Sequence, residues 1–146
     1  MKKVNFKNLS HEEQILVKMA EEFRKDAFCP YSNYKVGAAV LSDEGKFYAG
    51  SNVESSIFQT THAEKNAIDK MAADGGRRIL MLCCVARDGG VPCGECRQFI
   101  WEFCGGDLSV KIIGVDSKRN IAIFTIGELY PYPFGPETLG ISPKKH

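Results

Sequence analysis

The 146 residues are 44% hydrophobic and 25% charged with a formal net charge of +1 at pH 7, which fits a single domain over 1–146 with a core of its own. Basic residues are scattered in runs of no more than two, Lys2-Lys3 and Lys144-Lys145 lying at the ends, so there is no electrostatic footprint for nucleic acid, and no apolar stretch is long enough to cross a bilayer. Met1 to Phe6 leads into polar residues, and the adjacent Cys83 and Cys84 argue against a disulfide framework; a cytoplasmic chain with reduced thiols is expected.

Ser10-His11-Glu12-Glu13 is a capping box, and Ile15, Leu16, Met19, Ala20 and Phe23 follow at helical spacing until Cys29-Pro30 ends the segment. Tyr34 to Leu41 reads as a strand, Ser42-Asp43-Glu44-Gly45 as a hairpin turn, and Lys46 to Ser51 as the partner strand. Thr61 can cap a helix through His62, Ala67, Ile68, Met71 and Ala72, stopped by Gly75-Gly76, so His62 and Glu64 fall in its first turn. Ile79 to Ala86 is a nearly continuous apolar run, the mark of a strand covered on both faces. Cys83 and Cys84 within it read as small hydrophobes, of which at most one faces a site. Pro92 suits the first turn of a further helix, continued by the core stripe Phe99, Ile100 and Phe103. Val110 to Val115 and Ile121 to Ile126 close the sheet across Asp116 to Asn120, and Tyr130 to Pro136 has no regular period. The pattern predicts a three-layer α/β/α domain around a central mixed sheet of five strands.

Two short motifs carry chemistry: His62-Ala63-Glu64 and Pro92-Cys93-Gly94-Glu95-Cys96. His62, Cys93 and Cys96 make three soft ligands for Zn²⁺ and leave a fourth tetrahedral position to water, whereas a structural site normally closes all four. No fourth ligand suggests itself, because His11 lies at a helix start and His146 is the last residue. Cys93 and Cys96, three apart, project on one side of a helix. Glu64 taken alone is an exposed charge near a helix N-terminus; two positions after a ligand, it is a proton carrier beside the water. The Cys93 N–H, at a helix N-terminus, is a candidate donor to developing negative charge, and the Ala63 carbonyl is a candidate acceptor for a leaving group that carries N–H. A non-catalytic zinc or nucleoside-binding protein would have the three ligands and no use for Glu64.

H-x-E followed by P-C-x-x-C is the signature of zinc-dependent nucleobase deaminases, and the flanking segments resemble the short, homotetrameric cytidine deaminases. Pro30-Tyr31-Ser32-Asn33-Tyr34-Lys35-Val36-Gly37-Ala38-Ala39 is similar to their N-terminal strand, Gly50-Ser51-Asn52-Val53-Glu54 to their nucleoside-binding segment, and Glu128 to Leu139 to their closing segment. The resemblance implies deamination of cytidine or deoxycytidine in pyrimidine salvage, with zinc held by His62, Cys93 and Cys96 and Glu64 as the proton shuttle. It implies further that Asn52 and Glu54 bond the ribose 3′-hydroxyl, that Tyr34 packs on the nucleoside, and that Phe134 reaches a neighbour's site in a homotetramer. The partner would be a small nucleoside, with no nucleic acid and no membrane. Two features depart from the short members. His62 and Lys65 stand where many have Cys and Arg, and a neutral ligand needs less compensation. The loop Ser55 to Thr61 is one residue shorter and lacks an Asn after Glu54. Blasticidin S deaminases share fold, chemistry and size, so an aminonucleoside substrate stands as the alternative.

Overall fold

The computed structural model describes all of residues 1–146. A short edge strand, β1 (Lys2–Val4), precedes helix α1 (His11–Lys25). The helix begins as the sequence predicts: Ser10 Oγ accepts from the Glu13 N–H at 3.3 Å, and the Glu13 carboxylate accepts from the Ser10 N–H at 2.8 Å. Strands β2 (Gly37–Ser42) and β3 (Phe47–Ser51) form an antiparallel hairpin. Gly45 takes a left-handed φ of 77° in its turn, which glycine adopts at no steric cost. Helix α2 (Ala63–Ala73), strand β4 (Ile79–Val85), helix α3 (Gly94–Glu102), strands β5 (Lys111–Val115) and β6 (Ile121–Thr125) and the single turn α4 (Ile126–Leu129) follow. No helix is long and apolar enough to cross a membrane.

The strands form one sheet in the order β1-β6-β5-β4-β2-β3, in which β4 and β5 are parallel and all other neighbours antiparallel. The mixed α/β/α sandwich is as expected, with six strands where five were predicted. The extra strand is β1, whose Lys2-Lys3-Val4 lacks any apolar period and becomes a strand only by pairing with Ile121 to Ile123 of β6. The core alternates with period two along the strands. Leu41, Cys83, Val85, Ile113 and Val115 face Leu16, Val17 and Ala20 of α1 on one side. Val40, Leu82, Cys84 and Ile112 face Ala67, Ile68 and Met71 of α2 and Ile100 and Trp101 of α3 on the other. Two-sided burial explains why these strands read as unbroken apolar runs.

The first strand of the hairpin starts later than the sequence suggests. Tyr34 to Val36 lie outside it because the Asn52 amide takes over their backbone groups: Oδ1 accepts from Val36 N–H and Nδ2 donates to the Tyr34 carbonyl, both at 2.8 Å. Gly37 then begins β2 where a Cβ would come within 2.0 Å of the Ala20 carbonyl oxygen. Only glycine lets the strand lie this close to the backbone of α1.

Candidate active site

Helices α2 and α3 both point their N-termini at one spot beside the C-terminal end of β4. His62 is the N-cap of α2 and Cys93 that of α3, each with extended backbone. Both helices therefore start just after a ligand: Thr61 does not cap α2, and Pro92 precedes α3 instead of occupying its first turn. The Nδ1 atom of His62 lies 3.2 Å from Cys96 Sγ and 3.3 Å from Cys93 Sγ. All three potential ligand atoms fall within 4.8 Å of one another. One imidazole nitrogen and two sulfurs converging in this way are a soft donor set that fits zinc, and Cys84 stays out of the cluster. Cys96 is buried and Cys93 exposed. Burial, and next the Glu64 carboxylate, push the Cys96 thiol up, so a cation that binds here displaces a proton from sulfur.

A cavity of about 420 Å³, within the usual range for a small-molecule site, opens onto these ligands. Glu64, Ala63, Cys84 and Ala86 line its inner end together with His62 and Cys93. Glu64 is 5% exposed, and its Oε1 accepts from Cys84 Sγ at 3.4 Å. Burial, with the Glu64 charge adding to it, pushes the Cys84 thiol well up, so the sulfur keeps its proton and is the donor. The adjacent cation Lys65 turns its ammonium over the Phe99 ring, 5.2 Å from the centroid, tying α2 to α3.

The outer end of the cavity is built from Ser32, Tyr34, Val36, Asn52, Glu54, Thr60 and Val91. Here the 28–36 segment folds onto 52–54: Phe28 N–H donates to the Asn52 carbonyl at 3.0 Å and Glu54 N–H to the Phe28 carbonyl at 2.8 Å. The Glu54 carboxylate accepts from Tyr31 N–H at 2.8 Å, from Ser32 N–H at 3.2 Å and from the Ser32 hydroxyl. The Ser32 hydroxyl bond, with the two N–H donors, outweighs desolvation and holds the Glu54 carboxyl below its ordinary value. The Tyr34 hydroxyl donates to Asp88, and the Arg87 guanidinium lies 5.3 Å from the Tyr34 ring centroid. Burial, then the bond to Asp88, pushes the phenol up to about 12.

Of the predicted site residues, His62, Ala63, Glu64, Cys93, Asn52, Glu54 and Tyr34 share this cavity, and Cys96, which does not line it, converges with His62 and Cys93 as the third potential ligand. Phe134 does not line the cavity of its own chain; it is 57% exposed, and its carbonyl accepts from Gln98 Nε2 at 2.8 Å. Cys84 and Ser32 were not singled out by sequence. The period-two alternation of β4 sets Cys84 apart from Cys83, whereas nothing local marks Ser32 as a partner of Glu54.

Fold and site together bring three potential metal ligands and a buried carboxylate to the end of a parallel strand pair, where two helix N-termini meet, an arrangement that suits metal-assisted hydrolysis. The family model for the cytidine and deoxycytidylate deaminase zinc-binding region matches residues 10–111. A cytidine deaminase of Sporosarcina psychrophila is 39% identical over 127 residues, covering 85% of this chain and 92% of the relative. One of Halalkalibacterium halodurans is 34% identical over 131 residues, covering 88% and 98%. The crystal structure of cytidine deaminase from Burkholderia pseudomallei superposes with a TM-score of 0.78 at 30% identity, over 86% of this chain and 100% of that one. The chain belongs to the cytidine and deoxycytidylate deaminase family.

Proposed function

We propose that the chain hydrolyses the exocyclic C4–N bond of cytidine or deoxycytidine, releasing ammonia and the uridine product. The observation that carries this is one cavity lined both by Glu64, His62 and Cys93 and by Asn52 and Glu54. His62, Cys93 and Cys96 would hold zinc, which when bound supplies the Lewis acidity that makes water a nucleophile near neutral pH. Glu64 takes a proton from the attacking water and delivers it to ring N3, the oxygen bonds to C4, and Glu64 passes the second proton to the departing amine. The Ala63 carbonyl accepts from that amine, and the Cys93 N–H at the start of α3 faces developing negative charge.

The sugar end supports a nucleoside over a polymer. Asn52 retains one N–H after bonding the Tyr34 carbonyl, and an ionised Glu54 only accepts, so the pair suits a neutral 3′-hydroxyl and disfavours a 3′-phosphodiester. Tyr34, held by Asp88 and Arg87, offers a fixed aromatic wall to the nucleoside. The exposed tail residues Tyr132, Phe134 and Leu139 support a homotetramer in which Phe134 completes a neighbour's cavity. Reduced thiols throughout and a nucleoside substrate support a cytoplasmic salvage role.

The test is loss of cytosine absorbance with zinc-loaded protein offered cytidine, deoxycytidine, blasticidin S and a short single-stranded oligonucleotide. Turnover of the two nucleosides well above the other substrates is expected. Blasticidin S turned over much faster than either nucleoside would move the protein to the aminonucleoside class, and no turnover of any would leave it a binding protein.

A further inference from the structure

We propose that Cys84 is a positioning residue for this reaction, its S–H holding the Glu64 carboxylate turned into the cavity. The inference rests on the reading of Glu64 as the proton shuttle. Glu64 is the second residue of α2, and its side chain has several torsions about which the carboxylate can swing. Proton transfer needs hydrogen-bond reach, and a displacement of about an ångström is enough to lose much of the rate.

The Cys84 sulfur lies 3.4 Å from Glu64 Oε1, and both residues line the cavity. Its own backbone is fixed on two sides, in register with Ala38 of β2 and Gly114 of β5 in the middle of the sheet. Cys83, one position earlier, sits in the opposite core against α1, so the chemistry at 84 belongs to the site and not to a general preference of β4 for cysteine. An aliphatic side chain at 84 would pack equally well but would leave a buried carboxylate oxygen against carbon, which is costly. A thiol satisfies that oxygen as a neutral donor, without the positive charge of Lys or Arg that would weaken Glu64 as a base. The oxygen not bonded to sulfur is then available for proton transfer.

Three substitutions separate donation from packing. Zinc-loaded wild type, Cys84→Ala, Cys84→Val and Cys84→Ser are compared for kcat and KM on cytidine, zinc content and thermal midpoint. Ala and Val should each lose about tenfold in kcat with KM within about twofold, the order expected for one hydrogen bond to a charged group. Ser restores a donor and should return to within about threefold of wild type, at unchanged zinc content. Wild-type kcat in Cys84→Val would overturn the proposal, and so would a Ser variant as slow as Ala. Glu64→Gln run alongside keeps the two claims apart: if it retains turnover the proton-shuttle reading itself fails, whereas an inactive Glu64→Gln beside a fully active Cys84→Val removes only the role of Cys84.

Discussion

Glu64 combines burial with nearness to the three potential metal ligands, and the nearby cation Lys65 is turned away onto Phe99. No ammonium group therefore pins its carboxylate in an ion pair. Glu64→Gln keeps the shape and should keep zinc while kcat falls by roughly 10² to 10⁴, the usual worth of a positioned acid–base group. Initial rate and metal content measured on one sample check this. Cys93→Ala should lose both together, since two remaining ligands no longer define the site. At the other end of the cavity, Glu54→Ala should cut kcat/KM for cytidine by roughly 10- to 100-fold, and wild type should discriminate against 3′-deoxycytidine to a similar extent. The variant should then treat the two nucleosides alike, because the partner of the missing hydroxyl is gone; equal wild-type rates on both would count against the assignment.

The N-terminus of α1 depends on a carboxylate with two duties. Glu13 closes the capping box with Ser10 and also pairs with Lys111 at the start of β5, although it is almost fully buried. Burial works to raise its carboxyl, but the Lys111 hydrogen bond, the Ser10 N–H and the surrounding positive charge outweigh it, and the net shift is downward. A folded-state value below the unfolded one gives stability that is present above the unfolded value and lost as pH falls through the folded one. The thermal midpoint should therefore drop as pH falls below the ordinary Glu range. Glu13→Gln retains the capping reach without the charge and should flatten that dependence. Elements of this kind were legible in the sequence because their signals are local: the capping box, the Gly45 turn, and the two-sided apolar runs of β4, β5 and β6. The convergence of His62, Cys93 and Cys96 was legible for the same reason, since H-x-E and C-x-x-C are local motifs that each fall at one helix start. What sequence left open depends on distant partners. Tyr34 to Val36 looks like strand until the Asn52 amide claims its backbone, Glu54 meets Ser32 across 22 positions, and β1 exists only through β6.

For the molecule as a whole, the tail after α4 decides whether one chain suffices. Tyr132 is 94% exposed and Leu139 62%, and such apolar surface gains by being covered. On the proposed homotetramer with shared sites, truncation after Leu129 should cost assembly and activity together, and intact protein should lose activity on dilution. Light scattering that shows an active monomer at every concentration would remove the shared site and leave the zinc chemistry untouched. The N-terminus folds back onto the segment 121–128. β1 pairs with β6, and the Met1 ammonium lies 2.5 Å from the Glu128 carboxylate, 127 positions along the chain. Joining segments so far apart closes a loop of nearly the whole polypeptide, and that loop entropy has to be overcome before the contacts can reward it. The β2–β3 hairpin and the β4-α3-β5 unit close over much shorter spans, and the latter carries Cys93 and Cys96 at the start of α3. Local closure is therefore expected to bring the interior strands together first and to seal the β1 edge last, so the N-terminus docks on a sheet that already stands.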